Sequence, residues 1–504
     1  MRHYSLHTLT KLLLCTWSGF VVLCMLAACM DDEEYSTSPN DRLRFSTDTV
    51  NFDTIISGQP TSTYSFMVYN PAKKALRLAQ VYLEKGTESD FVVNADGTYL
   101  EGGHAENLEI PGRDSLRVFL FANTPEQDSD EPVKTKDKLM FVTEAGVRQE
   151  VVLEAAGQAV IPLDAKVLLT DTLLDARRPY QIRDSLVVGR DATLTIGPGV
   201  RLYFHPKASL IVHGTVKAQG TVQAPIVMRG DRLENMFSQQ SYDRIPGQWG
   251  GITLTGSSYG NHFDHCDIHS GTYGIRCDSS DVSREKLRLE NSIVHNTSGD
   301  VLYARSSQLF VGNSQLTNAG GNCVTLRGGD ANFVHCTIAN FYAFAGGRGV
   351  ALDYSNTDGN VRLPLYAAHF ANCIITGYSS DEIMGSQSDR YKDDPFNYRF
   401  DHCLLCTPQA ESEDIISCLW DNDKDGHAVW REENFAPRFD LQRLIFTFAL
   451  DPQSQAVGTA DPDITRRYYP ADRLGRERLT DGKSDMGCEK YVPQKEGDED
   501  QTKQ

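Results

Sequence analysis

Phe263-Asp264-His265-Cys266-Asp267-Ile268 is followed by Leu289-Glu290-Asn291-Ser292-Ile293-Val294 and by Val311-Gly312-Asn313-Ser314-Gln315-Leu316, the same residue classes in the same order. Three more copies are Phe333-Val334-His335-Cys336-Thr337-Ile338, Phe370-Ala371-Asn372-Cys373-Ile374-Ile375 and Phe400-Asp401-His402-Cys403-Leu404-Leu405. The template is an aromatic or aliphatic residue, any residue, His or Asn, Cys or Ser, any residue, then an aliphatic one. Its Cys/Ser positions lie 26, 22, 22, 37 and 30 residues apart. A period near 22 with variable insertions is the mark of a parallel β-helix, whose coils carry three short strands and stack about 4.8 Å apart. The Cys/Ser and the aliphatic residue two places later share a face, and being small or apolar they must point inward. The residue before them sits at a sharp corner that needs a left-handed backbone, which Asn and His tolerate. His265, Asn291, Asn313, His335, Asn372 and His402 are therefore expected to form a structural ladder of hydrogen-bonded corners.

Upstream, Leu194-Thr195-Ile196-Gly197-Pro198-Gly199-Val200 and Leu210-Ile211-Val212-His213-Gly214-Thr215-Val216 show the same short β-branched runs with Gly at the corners. About ten right-handed coils are expected over roughly 181–450. Before a connector at 158–180, the chain reads differently. Tyr64, Phe66 and Val68 alternate ahead of an Asn70-Pro71 turn, and Leu116, Val118 and Leu120 alternate likewise. Period-two alternation broken by turn residues predicts an antiparallel, immunoglobulin-like sandwich over 45–157. The fold class expected is thus all-β: an N-terminal antiparallel sandwich followed by a right-handed parallel β-helix, a capping segment at 451–492 and a disordered tail at 493–504, rich in Lys, Glu, Asp and Gln.

The 504 residues carry a formal charge of −19, and no basic patch interrupts the acidic balance. Such a surface repels phosphate backbones, which argues against nucleic acid as a partner. Of 12 cysteines, Cys15, Cys24 and Cys29 precede the folded text and nine fall between Cys266 and Cys488. An odd count argues against a complete disulfide framework.

The first 29 residues read as a secretory signal: Arg2 and Lys11, an apolar stretch from Leu12 to Ala28, and small residues at its end. Leu26-Ala27-Ala28-Cys29 resembles the lipobox of bacterial lipoproteins, which implies lipidation of Cys29. Asp31-Asp32-Glu33-Glu34, opening an acidic flexible tether at 30–44, looks like the export signal of surface lipoproteins in the Bacteroidetes. Met30 stands where the inner-membrane retention signal would place Asp. An uncleaved transmembrane anchor is the alternative, with an apolar run near the lower length limit. The rest of the chain resembles a class of surface proteins in the same bacteria, through Phe45-Ser46-Thr47-Asp48-Thr49-Val50, Pro246-Gly247-Gln248-Trp249-Gly250-Gly251-Ile252, Leu474-Gly475-Arg476-Glu477-Arg478 and Asp485-Met486-Gly487-Cys488-Glu489. That resemblance implies an outer-membrane, outward-facing lipoprotein with a sandwich and a β-helix. It brings no established reaction. Five Asp-Ser/Thr-aliphatic tripeptides, at Asp48, Asp53, Asp114, Asp171 and Asp184, resemble an O-glycosylation sequon of exported Bacteroidetes proteins. Asp with Ser or Thr also simply opens strands.

Asp421-Asn422-Asp423-Lys424-Asp425-Gly426, followed by His427 and Glu432, places acids at positions 1, 3, 5 and 12 with Gly at 6. This is a calcium-loop pattern, with Asp421, Asp423, Asp425, the His427 carbonyl and Glu432 as ligands of a structural Ca2+. Ala428 departs from the pattern, and a solvated acidic turn is the alternative. His262, His265, Cys266 and His269 crowd together like zinc ligands, but the repeat assigns His265 to a corner and Cys266 to the interior. Cys403 and Cys406, three apart on a strand, face opposite sides, which disfavours a shared metal. Clustered acids on an exposed strand face would mark an enzyme of the polysaccharide lyase or glycoside hydrolase kind; the candidates are Arg276 with Asp278 and Asp264 with Asp267, and neither forms a recognisable catalytic set. Tyr242, Tyr273 and Tyr303 are available to stack on sugars, whereas Trp249 beside Gly250-Gly251 reads as a plug within a coil. The expected function is binding of glycans or surface proteins without catalysis, with a polysaccharide lyase or glycosidase as the alternative.

Overall fold

The structure, a computed structural model, describes residues 35–237, 240–421, 431–437 and 439–493, and not the side chains of Phe237, Arg431 and Glu432. The expected signal with Cys29, the start of the tether and the tail from 494 lie outside the described residues. The chain forms two compact units. One comprises the residues up to Val50, Thr63–Ala122 and Lys136–Glu154; the other comprises Asn51–Ser62, Asn123–Thr135 and everything from Ala155.

The first unit is built on two five-stranded sheets. Tyr64–Tyr69 pairs antiparallel with Ser115–Ala122, Phe66 opposite Val118, and the alternating Tyr64, Phe66, Val68, Leu116, Val118 and Leu120 are all buried. Asn70 is buried in the turn that follows. Its Nδ2 donates to the carbonyls of Lys74 (2.9 Å) and Ile110 (3.0 Å), and its Oδ1 accepts from the Ala72 N–H (2.9 Å). A buried amide that satisfies three backbone groups explains why the Asn-Pro turn holds.

The second unit is a parallel β-helix of three sheets with eleven, nine and ten strands. Its first coil is Ile161–Leu163, Val167–Leu168 and Thr172–Leu174, so the helix begins inside the stretch expected as a connector. These strands escaped notice because two or three residues are too few to show a period. Among the described residues the last parallel strand is Leu419–Trp420; beyond it come only isolated bridges, a 3-10 turn at Arg431–Asn434 and one short α-helix, Pro462–Tyr468. The expected extension of the solenoid to 450 is thereby corrected.

The repeat places its residues in columns. Its first position stacks Phe263, Leu289, Val311, Phe333, Phe370 and Phe400 on consecutive strands of the ten-stranded sheet. The last three rings lie nearly parallel at 4.7 and 5.2 Å. Its sixth position stacks Ile268, Val294, Leu316, Ile338, Ile375 and Leu405, all buried. All six corner residues have left-handed φ between 47° and 53°.

That corner breaks the alternation of a parallel ladder. The N–H of the corner residue donates to the following coil, as from Asn291 to the Gly312 carbonyl and from His335 to the Ala371 carbonyl. The N–H of the next residue points the same way, and the side chain one coil on receives it. Cys266 N–H donates to Ser292 Oγ (3.0 Å), Ser292 N–H to Ser314 Oγ (3.1 Å), Cys336 N–H to Cys373 Sγ (3.4 Å) and Cys373 N–H to Cys403 Sγ (3.4 Å). Each hydroxyl or thiol in turn donates to the carbonyl two residues before it, as Ser314 Oγ does to Gly312 (2.7 Å) and Cys373 Sγ to Ala371 (3.3 Å). The Cys/Ser column is thus a hydrogen-bonding device as well as core filling. All nine described cysteines are free, and burial pushes the Cys266 and Cys373 thiols far up, so they stay neutral.

The segment expected as a cap, 451–492, hydrogen-bonds to the corner residues. It lies along the corner ladder. Arg478, 1% exposed, donates to Asn313 Oδ1 (2.7 Å) and to the Gly487 carbonyl (2.9 Å). Asn372 exchanges hydrogen bonds with the Asp461 backbone (2.9 and 2.8 Å), and His335 Nε2 meets Thr465 Oγ1 (2.9 Å). Within the ladder Asn313 donates to Asn291 (2.7 Å), and Asn291 to Asp264 (2.8 Å).

Ser314→Ala removes the acceptor of a buried N–H and is expected to cost about 1–3 kcal/mol. Ser314→Cys keeps an acceptor and should cost clearly less. Urea unfolding followed by circular dichroism compares the two, and equal losses would show that volume alone matters in this column.

Candidate functional sites

Two places on the β-helix gather chemistry-bearing side chains. The first lies on the outer face of the eleven-stranded sheet, beneath a cavity of about 340 Å³ whose far side is formed by 444–449 with Arg473 and Glu489. Strand Cys266–His269 alternates Cys266 and Ile268 inward with Asp267 and His269 outward. The next coil pairs His295 with His269 and Ile293 with Asp267. Asp243 reaches the site from a 3-10 turn, Tyr242–Arg244, in the insertion that precedes Trp249. Trp249 is buried, stacks on Phe204 at 4.2 Å and donates its Nε1–H to the His269 carbonyl (2.8 Å), which ties the insertion to this strand.

The polar contacts converge. His269 Nδ1 lies 2.8 Å from Asp267 Oδ1 and its Nε2 lies 2.6 Å from Asp243 Oδ1, while His295 Nε2 lies 3.2 Å from the same Asp267 oxygen. Arg229 Nη1 holds Asp243 Oδ1 at 2.8 Å. Burial opposes charge on His269, yet Asp267 and Asp243 outweigh it and lift its pKa to about 9. Burial would raise both carboxyls, but His269 and His295 hold Asp267 well below the usual carboxylate range. His269 and Arg229 do the same for Asp243. Neither carboxyl can therefore serve as a neutral acid near pH 7. The donor atoms of Asp267, His269 and His295 all lie within 4.8 Å of one another, which suits a metal ion.

The second place is the outer face of the nine-stranded sheet. Thr253, Arg276, Tyr303, Thr325 and Asp353 stand in register on consecutive coils. Arg276 packs over the Tyr303 ring at 5.8 Å, and Tyr273 nearby is 39% exposed. Each acid there pairs with an arginine: Asp278 with Arg276 at 3.2 Å, Asp353 with Arg327 at 2.6 Å, Asp358 with Arg305 at 2.8 Å. Asp300 is the exception. Burial pushes its carboxyl above the usual range, while its Oδ1 accepts from the Asn322 N–H (2.9 Å).

The residues singled out in the sequence fall as follows. His262 meets Glu290 Oε2 at 3.1 Å on the ten-stranded sheet, His265 sits at its corner beside Asp264 (2.8 Å), and Cys266 is interior. These three do not converge with His269. Asp264 likewise lies on a different sheet from Asp267. Cys403 and Cys406 donate to different carbonyls, of Phe370 and Ser379. In the expected calcium loop, Asp423, Asp425 and His427 lie outside the described residues, as does the Glu432 side chain. Asp421 is buried and accepts from Thr376 Oγ1 (2.5 Å) and Asn434 Nδ2 (2.9 Å). Tyr242 packs against Arg232 at 4.0 Å. The Ser or Thr of all five Asp-Ser/Thr tripeptides is half-exposed. Sequence reasoning missed the pairing of His269 with His295. The signal was present: the 26-residue step from Cys266 to Ser292, applied to His269, lands on His295.

Residues 166–325 match the family model described as a pectate-lyase-like β-helix domain. Among solved structures, the chain is similar to the catalytic domain of a GH87 α-1,3-glucanase in complex with nigerose, at 10% identity and TM-score 0.28, over 72% of this chain and 87% of that one. Dex49A from Penicillium minioluteum matches at 8% identity and TM-score 0.25, over 75% and 79%. The ASH / PapD-like domain of human CEP192 matches at 9% identity and TM-score 0.17, over 24% and 89%. No curated protein matches. At these scores no activity passes to this chain.

His269 gains its proton on folding, so the stability it contributes is complete below pH 6.5 and is lost as pH rises through about 9. In chelator-treated protein the melting temperature is expected to fall between pH 6.5 and 9. His269→Gln should flatten that slope, and an unchanged slope would place its origin elsewhere.

Proposed function

We propose that this chain is a lipid-anchored surface protein that binds a neutral polysaccharide along the outer face of the nine-stranded sheet, without cleaving it. The observation that carries the reading is the column Thr253, Arg276, Tyr303 and Asp353, accessible contact groups on successive coils interrupted only by the buried Thr325. Groups repeated about every 4.8 Å offer a repeating polymer equivalent contacts along its length. Tyr303 and Tyr273 supply rings that can stack on sugar faces, and the Arg–Asp pairs supply fixed donors and acceptors for hydroxyls. A polyanion would have to compete with the carboxylates already on those guanidinium groups, which favours an uncharged chain. The acidic tether and a lipidated Cys29 would hold the binding face outside the cell. A Ca2+ ion in the loop that opens at Asp421 would have a structural role.

A second reading rests on Asp300. Burial keeps its carboxyl protonated to higher pH, while Asp353, bridged to it through Asn322 (2.9 and 3.4 Å), is held by Arg327. Two neighbouring carboxyls, one of them kept protonated by burial, suit the acid and base of a glycosidase.

Affinity electrophoresis of the full chain in gels containing neutral polysaccharides tests the first reading. Tyr303→Ala is expected to weaken retention about tenfold. Shortened glycan products in a mass spectrum, abolished by Asp300→Asn, would replace binding with hydrolysis. For the anchor, Cys29→Ser is expected to move the chain out of the membrane fraction, and unchanged sedimentation with membranes would contradict lipidation.

A further inference from the structure

We propose that Asp267, His269 and His295 form a binding site for a divalent transition metal of the zinc class, with Asp243 fixing the His269 ring and the remaining coordination position opening into the cavity. The inference is independent of the polysaccharide reading, which concerns another sheet.

Four observations carry it. The imidazoles of His269 and His295 both aim a nitrogen at one oxygen, Asp267 Oδ1, at 2.8 and 3.2 Å. An ion pair needs one imidazole there; two converging on a single oxygen instead outline a three-donor set. Zinc bonds of about 2.0–2.1 Å in a tetrahedron put donors roughly 3.4 Å apart; the two nitrogen–oxygen distances, 2.8 and 3.2 Å, approach that spacing, and the two nitrogens lie within 4.8 Å of each other. The donors are also held rigidly: Asp267 and His269 share a strand, and His295 is fixed above His269 by strand register, their rings 4.9 Å apart.

The surroundings match what a metal-bound imidazole requires. The outer nitrogen of His269, Nε2, meets Asp243 Oδ1 at 2.6 Å, and Arg229 holds that oxygen in turn at 2.8 Å. A ligand histidine whose second nitrogen rests on a carboxylate is the usual means of fixing tautomer and ring angle at zinc sites. Two nitrogens and one carboxylate favour zinc and its neighbours over Ca2+ and Mg2+, which take oxygen. Three protein ligands with space beside them describe an open site rather than a closed structural one. The 340 Å³ cavity supplies that space, with Gln315 and Thr317 of the next coil on its floor.

The test uses the untagged full chain in detergent, stripped with a chelator and titrated with Co2+. One equivalent is expected to produce visible d–d absorption bands, which Zn2+ then bleaches by displacement and excess Ca2+ does not. Asp267→Asn and His295→Ala should each weaken Co2+ binding roughly a hundredfold or more, and Asp243→Asn about 10–100-fold. His262→Ala, on another sheet, should change nothing. If His295→Ala fails to fold, His295→Gln takes its place, since that side chain is only 25% exposed but lies at the cavity edge. Absence of saturable Co2+ binding overturns the site, as does undiminished affinity in the folded Asp267 and His295 variants or displacement by Ca2+.

Discussion

The β-helix depends on one constraint: a left-handed corner residue makes two successive N–H groups point at the same neighbouring coil, where the backbone offers a single carbonyl. A buried N–H with no acceptor costs as much as several apolar contacts gain. The oxygen or sulfur of the next coil's Cys/Ser resolves this, as when Ser292 N–H donates to Ser314 Oγ. The side chain must be short enough to fit the interior and must still accept a hydrogen bond. Only a few residue types satisfy both demands, which is why this position alternates between Ser and Cys and never becomes Ala or Val across six copies. An acceptor supplied by the next coil also couples the coils. Each corner is complete only when its successor has formed, as expected of a solenoid stabilised through nearest neighbours.

The corner amides raise a second accounting problem. Asn313, His335 and Asn372 are buried, so their polar atoms need partners beyond the ladder itself. The C-terminal segment supplies them through Arg478, Thr465 and the Asp461 backbone. Arg478 is an unusual solution, because a guanidinium at 1% exposure is expensive unless its donors are used. Two of its hydrogen bonds go to Asn313 Oδ1 and the Gly487 carbonyl. The stretch from Leu474 to Glu489, which the sequence marks as distinctive without saying why, carries Arg478, while Asp461 and Thr465 just before it complete the ladder.

What could be read in advance follows from this periodicity. Six copies of one hexapeptide were enough to place the inward face, the corner column and the parallel sheets, because every copy obeys the same geometric demand. The ends of the solenoid were not legible. The strands Ile161–Leu163 and Val167–Leu168 are too short to show alternation, and their residues follow no repeat. Nor was the course of the C-terminal segment legible, since a strap that pairs with corners through single side chains has no period at all. Trp249 is interior, as its setting suggests, and the glycines after it allow neighbouring coils to close in: a Cβ on Gly250 would stand 2.0 Å from Ser209 Oγ.

The candidate sites are harder to read because chemistry on a solenoid arises where columns change identity. On the eleven-stranded sheet the outward positions run Val227, Asp267, Ile293, Gln315 in one column, and His269, His295, Thr317 in the next. The first column repeats no functional residue and the second repeats histidine only once, so a search for a motif sustained along the repeat passes over both. The cluster appears only when two columns are laid side by side and the Asp243 insertion is folded onto them. Of His262, His265, Cys266 and His269, which crowd together in sequence, the first three face three directions. The fourth, His269, meets Asp267 on its own strand and His295 one coil away. In a fold whose neighbours lie a full coil apart, proximity along the chain is poor evidence for a shared site, and equivalence between coils is the better guide.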